Sequence, residues 1–368
     1  MSGLTLAILL FALTLAGFVV SVIATRWMIS FAPKIGLVDQ PGHRKIHAHP
    51  KPLGGGFGIA AGFVLPLIIG AIAVAMELRP FGIDIALLDG ANEQLPMLFG
   101  FLGGAIGMFL LGLVDDRKAL GPFIKLGVQL AISTSFVALF PDVRLLTVLG
   151  PVPSIIVTVL WIAGVTNAFN FLDNMDGLSS GVAAVCSAIF IFASLLAGQL
   201  FVPATLAIFF GSLIGFLVWN YPPAKLFMGD SGSLLIGFVL GVMTARTTYV
   251  PPGAAFSSSW YGVFVPVIVL AVPLYDMLVV SVIRIARGKS PFVGDTNHFS
   301  HRLVARGMSK PVAVLSIWLI TAATGLAALL LPLVTSWLAA MLIVGQTLLI
   351  LAVVFLLERH PLPKDQRE

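Results

Sequence analysis

Val152 to Gly177 reads VPSIIVTVLWIAGVTNAFNFLDNMDG, an apolar run that passes without a break into four polar residues spaced at three: Asn167, Asn170, Asp173 and Asp176. Residues 152–168 carry no charge and reach the roughly 17–25 residues that a helix needs to cross a bilayer. The polar residues behind them form a ridge. On a 3₁₀ turn the four would eclipse, and on an α-helix they would drift by about 60° per step, leaving neighbours on adjoining faces. Asn and Asp also end helices and build turns. Four of them at the edge of a span, however, make a cluster of the kind that is functional by default in a membrane. Their oxygens suit Mg²⁺ and the polar edge of a substrate.

The rest of the chain belongs to the same medium. With 58% apolar and 10% charged residues and a mean hydropathy of +1.05, its solvent is mostly lipid. The expected fold is an all-α integral membrane protein, one polytopic domain over residues 1–368. About eleven transmembrane helices are expected, near 4–24, 54–76, 96–114, 122–140, 152–168, 178–198, 202–219, 232–248, 260–284, 311–331 and 335–357. No basic residue precedes the first span and no small-residue cleavage site follows it, so it reads as a retained helix rather than a signal peptide. The single cysteine, Cys186, lies inside a span. A disulfide framework within the chain is excluded.

Lys and Arg in short loops stay on the cytoplasmic side, and here they divide unequally. Of the 21 basic residues, only Arg79, Arg144 and Arg246 fall on one side. The remainder, from Arg26 and Lys34 to Lys364 and Arg367, fall on the other. An odd number of spans then places the N-terminus outside and the C-terminus in the cytoplasm. Asp115-Asp116, Asn167 to Asp176 and Gly229-Asp230-Ser231-Gly232 all come to the cytoplasmic face, where an active site is expected.

Even-numbered spans run outward, so their N-terminal amides and dipoles point at that face as anion sites. The stretch His43 to Gly56 leads into span two with six basic or imidazole side chains and three closing glycines. It serves equally as a positive-inside loop with a hinge. Asp115 and Asp116 end span three, at the negative end of a helix dipole that disfavours anions by about 0.3–1 kcal/mol. Arg117 and Lys118 offset part of this cost. An adjacent acidic pair attracts a divalent cation or moves a proton. Lys125 follows one turn into span four, with Gln129 on the same face; it can snorkel as an anchor or bind phosphate.

Gly229-Asp230-Ser231-Gly232-Ser233 has the letters of a serine-protease nucleophile motif. Ser231 would need a base, and all six histidines lie in inner loops or the tail. An N-cap for span eight is the better use of Asp230 or Ser231, and a capping carboxylate keeps an oxygen for a metal. In Asp295 to Arg302, His298 and His301 lack a third zinc ligand. Together with Arg302 they suit anions.

These motifs, in this order and on one side, resemble those of the polyprenyl-phosphate N-acetylhexosamine-1-phosphate transferases, and the likeness spans nearly the whole chain. Asp39 to His47, Lys51-Pro52-Leu53-Gly54-Gly55, Pro273-Leu274-Tyr275-Asp276 and His298 to Arg302 resemble the branch that uses UDP-N-acetylglucosamine to start cell-envelope polysaccharides. The phospho-MurNAc-pentapeptide translocase branch has a lysine where this chain has His47, and a run of three histidines that this chain lacks. That substrate is the alternative.

The resemblance implies that Asp115 and Asp116 position or deprotonate a lipid phosphate, with the division between them open. It implies that Asp230 binds Mg²⁺ with Asn170 as second ligand, Mn²⁺ being able to substitute. Lys125, His298, His301 and Arg302 would hold phosphates, and His47 and Asp276 would contribute to substrate binding. Asp176 and Phe227 would meet the uracil, while Asn167, Asp173 and Asn174 would shape the floor. The implied partners are a UDP-N-acetylhexosamine, undecaprenyl or another polyprenyl phosphate and a bacterial inner membrane, with room for a homodimer and none for nucleic acid.

In that reaction two anions must meet, since a lipid phosphate attacks the β-phosphorus and expels UMP. Like unit charges about 4 Å apart repel by about 4 kcal/mol at an effective dielectric of 20. Neutralisation is therefore the expected catalytic device, through one-step in-line attack or through a covalent aspartyl-phosphate. A secondary transporter, suggested by Pro266 and Pro273 in span nine, is the alternative of another class. Transporters place ionisable groups near the midplane, whereas here they hug the ends.

Overall fold

The computed structural model describes residues 2–39, 50–78, 85–247, 249, 260–291 and 297–359. The chain begins with helix α1 (Gly3–Phe31), and a two-stranded ribbon of β1 (Val38–Asp39) and β2 (Lys51–Pro52) precedes α2 (Gly55–Ala75). Then come α3 (Ile85–Arg117), α4 (Pro122–Leu139), α5 (Pro151–Leu172), α6 (Leu178–Leu196), α7 (Phe201–Asn220) and α8 (Asp230–Arg246). Two short helices, α9 (Val265–Val269) and α11 (Phe299–Val304), flank α10 (Ala271–Ala286) and precede α12 (Lys310–Ala328) and α13 (Trp337–Arg359).

Among the described residues, nine helices are long and apolar enough to cross a membrane, and a tenth counts if the bent pair Trp260–Val269 and Ala271–Ala286 is one span. Nine of the expected spans coincide with these. The two that differ do so for physical reasons. The run expected at 260–284 is broken by 63° at Leu270, where prolines at the start of both halves, Pro266 and Pro273, withhold helix hydrogen bonds. The run expected at 232–248 lies two residues earlier, at Asp230–Arg246, and its 17 residues fall short of the about 20 that a bilayer-crossing helix typically needs. Every residue of α8 from Ser231 to Ala245 is buried. In contrast, α13 presents Leu338, Met341, Leu342, Leu348, Leu349 and Leu356 outward. Apolar composition alone does not separate a helix enclosed by protein from one that faces lipid.

The enclosure of α8 rests on small residues, which let backbones close up where lipid gives no hydrophobic drive. A Cβ at Gly237 would collide with the α5 backbone at Thr166, and one at Gly112 would collide with the backbone at Asp230. Aromatic rings fill the wider layer. Phe238 of α8 lies 6.0 Å from Phe101 of α3 and 6.1 Å from Phe136 of α4, and Phe63 of α2 meets Phe101 edge-on at 5.9 Å. The distances suit offset or edge-to-face ring pairs. At the far end, Arg144 donates to the carbonyls of Val137 and Ala138 at 3.1 and 2.9 Å, and a cation there complements the C-terminus of α4. Arg246 likewise ends α8, so Arg144 and Arg246 lie at the end of the bundle opposite the polar motifs, while Arg79 lies outside the described residues.

Candidate active site

Four helix ends converge on one ammonium. Lys125, in the first turn of α4, bonds Asp115 Oδ2 at 3.2 Å and also Asp230 Oδ2. The second oxygen of Asp115 accepts the Leu120 N–H at 2.6 Å, and that of Asp230 accepts from Asn170 Nδ2 at 3.0 Å. The same Asn170 amide reaches Ser233 Oγ at 2.9 Å. Asn167, one turn earlier on α5, donates to Gln129 Oε1 at 2.7 Å. The Lys125 face of α4 is thereby tied to the polar ridge of α5.

Asp116 has a different task. Its Oδ1 accepts the Asp230 N–H at 2.8 Å and its Oδ2 the Ser231 N–H at 3.1 Å. It therefore caps α8 from another helix, satisfying orphan amides with a carboxylate at the positive end of the dipole. This favourable contact offsets the cost of ending α3 in an acid. It also explains the Gly229-Asp230-Ser231-Gly232 turn. Gly229 has φ of 75°, and a Cβ there would stand 2.6 Å from Asp116 Oδ2. The turn belongs to a helix start, and Ser231 is wholly buried in it. Gly229→Ala is expected to lower the unfolding temperature in detergent and cut turnover at least about tenfold, since it adds about 1–3 kcal/mol of strain in a backbone region that is essentially glycine-only and pushes the cap away. An active, equally stable alanine variant would show that the cap is dispensable.

The loop after α5 supplies more carboxylates. Asp173 is half-buried, and burial together with Asp230, Asp116 and Asp176 holds its carboxyl well above the usual range. The sign follows from linkage. As pH rises past the ordinary carboxylate range, the unfolded chain loses this proton first, so the wild-type fold loses stability until the raised pKa is passed. Asp173→Asn is expected to match wild type in acid and to unfold at a higher temperature as pH rises. Melting curves across pH check this, and a constant offset would refute it. Asp176 accepts the Ala224 N–H at 2.9 Å and lies 3.8 Å from Lys51 Nζ. Lys51 in turn sits 4.9 Å over the Phe227 ring. Phe227 is fixed through its backbone, donating to Pro52 O at 2.9 Å and accepting from Gly55 N at 2.8 Å.

A second group adjoins through Asn174, whose Oδ1 accepts from Ser300 Oγ and whose carbonyl meets His301. Asp276, wholly buried on α10, holds His298 Nδ1 at 2.8 Å and the Phe299 N–H at 2.7 Å. Arg284 stands 5.0 Å over the Phe171 ring, with its Nη2 3.4 Å from His298 Nε2. Burial and the neighbouring His298 lower the pKa of His301, which favours a neutral imidazole at pH 7. Arg302 gives its guanidinium to Glu358 and to the Asn297 carbonyl. Of the residues expected at a site, only His47 lies outside the described residues.

Sequence reasoning missed Lys51, Asn220, Arg284, Ser300 and Glu358. Arg284 reads in the sequence only as a positive-inside charge, and Lys51 stands in the basic stretch before span two and in the Lys51–Gly55 resemblance without a role of its own. Asn220 accepts the Gly177 N–H and donates to the Leu226 carbonyl, both at 2.9 Å, so it ties the Asp173–Gly177 loop to the Phe227–Gly229 loop. Its position at the end of an apolar run was the one available signal.

Among the described residues no three His, Cys, Asp or Glu side chains gather into a closed metal centre. A closed centre is not what the donor set calls for. Lys125 bonds Asp115 and Asp230, and Asp116 and Asp173 add two further carboxylates; burial first, and then the neighbouring carboxylate charges, hold the Asp173 carboxyl up. Such a site fits a hard divalent cation held by one or two carboxylates and completed by substrate phosphates.

A helical, multi-pass membrane protein with a carboxylate-rich site at one end of its bundle is the class that fold and site define. Residues 98–248 match the model of glycosyl transferase family 4. The chain is similar to the probable undecaprenyl-phosphate N-acetylglucosaminyl 1-phosphate transferase of Bacillus subtilis, 31% identical over 85% of this chain and 82% of that protein. It is 32% identical to the decaprenyl-phosphate N-acetylglucosaminephosphotransferase of Mycolicibacterium smegmatis, over 82% of this chain and 77% of the relative. The undecaprenyl-phosphate alpha-N-acetylglucosaminyl 1-phosphate transferase of Thermotoga maritima is 30% identical over 79% and 81%. The chain belongs to the polyprenyl-phosphate N-acetylhexosamine-1-phosphate transferase family, glycosyl transferase family 4.

Proposed function

We propose that this chain transfers N-acetylglucosamine-1-phosphate from UDP-N-acetylglucosamine to undecaprenyl or another polyprenyl phosphate on the cytoplasmic face of the inner membrane. A lipid phosphate oxygen bonds to the β-phosphorus, the bond from that phosphorus to the bridging oxygen breaks, and UMP leaves with that oxygen. The observation that carries this reading is the bridge from Asp115 through Lys125 to Asp230 beside a surplus of carboxylates, in a chain whose relatives are named for this transfer. Neither the pentapeptide substrate nor transport finds support in those names.

Mg²⁺ is the expected cofactor, with Asp230 and Asn170 to hold it. When bound, it supplies positive charge to the diphosphate oxygens. The remaining work belongs to side chains. Lys125 neutralises phosphoryl oxygens, Asp116 keeps the Asp230 turn in place, and Asp115 faces the lipid phosphate. Phe227 and Asp176 offer a ring face and an acceptor to the base. His301, whose ring N–H is held by the Asn174 carbonyl, meets a phosphate through its second nitrogen, which donates only once it takes up a proton.

The test is UMP release by purified protein in detergent, given polyprenyl phosphate and UDP-N-acetylglucosamine with and without Mg²⁺. Release that needs all three supports the reading. Release with a different UDP-N-acetylhexosamine alone would move the donor, and silence with every donor would overturn it.

A further inference from the structure

The short helix α11, which carries His301, is held from three directions. Asp276 of α10 takes the Phe299 amide and the His298 ring, and Asn174 takes Ser300. The third hold comes from the last helix of the described chain. Glu358 on α13, itself only 6% exposed, accepts Arg302 Nε–H at 2.9 Å on Oε2, and Nη2 lies at ion-pair distance from the same oxygen, 2.7 Å, without a hydrogen bond of its own among the described residues. The Tyr275 hydroxyl approaches the same oxygen at 3.4 Å, while Oε1 is buried without a hydrogen-bond partner among the described residues. Nearby, Arg306 donates to the Leu357 carbonyl. Two arginines of one segment are thus anchored on consecutive residues of α13.

This placement has a chemical consequence. An arginine spent on a buried carboxylate and on the Asn297 carbonyl cannot also close freely on a phosphate. Its geometry serves the segment, because a planar guanidinium held at Nε by Glu358 and at Nη1 by the Asn297 carbonyl is fixed in orientation as well as distance. With Asp276 and Asn174 holding the start of α11 and Glu358 its end, His301 has one position relative to the Asp173–Asp176 loop. A preset imidazole saves the ordering cost that a mobile one would impose on binding.

We propose that Glu358 is a positioning residue: through Arg302 it sets α11 so that His301 meets the phosphates of the nucleotide-sugar. This rests on the transferase reading for its substrate but not for its geometry. The experiment therefore has two independent readouts on Glu358→Ala and Glu358→Gln in full-length protein. The first is hydrogen exchange of the 299–304 amides, expected to quicken at least about tenfold in Glu358→Ala and less in Glu358→Gln, which keeps an acceptor. The second is steady-state kinetics. The KM for UDP-N-acetylglucosamine is expected to rise about tenfold in Glu358→Ala, with kcat and the KM for polyprenyl phosphate within about threefold of wild type.

Unchanged exchange would overturn the brace whatever the enzyme does. Quickened exchange with an unmoved donor KM, or with kcat and both KM values falling off together, would reduce Glu358 to a structural contact. If wild type released no UMP with any donor, the transferase reading would fail, and donor affinity by equilibrium binding would replace KM in the same comparison.

Discussion

Asp230→Asn is expected to lower UMP release by about 10³-fold with only a small fall in the unfolding temperature. The substitution keeps the size of the side chain and an oxygen for the Asn170 amide, which bonds Asp230 Oδ1 at 3.0 Å, but it turns an amide NH₂ toward Lys125, where Oδ2 had accepted. The backbone N–H that Asp116 accepts is untouched. What disappears is a charge aimed at the reaction centre, and preorganised electrostatic groups of this kind are worth about 10²–10³ in rate each. Loss of the cation proposed to sit there adds to that. Turnover within tenfold of wild type, at saturating Mg²⁺, would remove Asp230 from the centre of the mechanism.

Lys125→Met is the second large effect, expected at about 10²-fold in turnover with a fall in stability. Methionine replaces the apolar stem and leaves Asp115 and Asp230 facing each other across a gap that one ammonium had bridged. Two carboxylates at about 4 Å repel by about 4 kcal/mol at an effective dielectric of 20. The relief should be selective. Adding Asp115→Asn to Lys125→Met is expected to restore the unfolding temperature and not the turnover, because it removes the repulsion without returning a cation. If the double variant regained activity, Lys125 would be a structural counter-ion and the phosphate contact would need another group.

Most of the helices and the acidic residues of the site were legible in the sequence, because each has a local signature. Apolar runs mark spans, and paired or regularly spaced polar residues at their ends mark a cluster. Whether a run faces lipid or protein was not legible, since Leu and Val serve both solvents equally. The fully enclosed α8 therefore looked like any other span. The partition of labour between Asp115 and Asp116 was also hidden. It depends on which carboxylate reaches the amides of residues 230 and 231, over a hundred positions away. The role of Lys51 was hidden for the same reason, its partners being Asp176 and Phe227. Gly112 offered no clue, because a glycine in an apolar helix becomes informative only once the Asp230 backbone is laid against it.

The enclosure of α8 separates the chemistry from the thickness of the bilayer. Its 17 residues rise about 25 Å at 1.5 Å each, less than the roughly 30 Å of a typical hydrocarbon core. A helix that faced lipid would have to tilt, or thin the membrane around it, to hide its ends. Because α8 is sheathed by α2, α3 and α5, the outer helices absorb that mismatch. Lipids of different chain length can press on the rim of the bundle while the carboxylate at the head of α8 keeps its depth and its distance to Lys125.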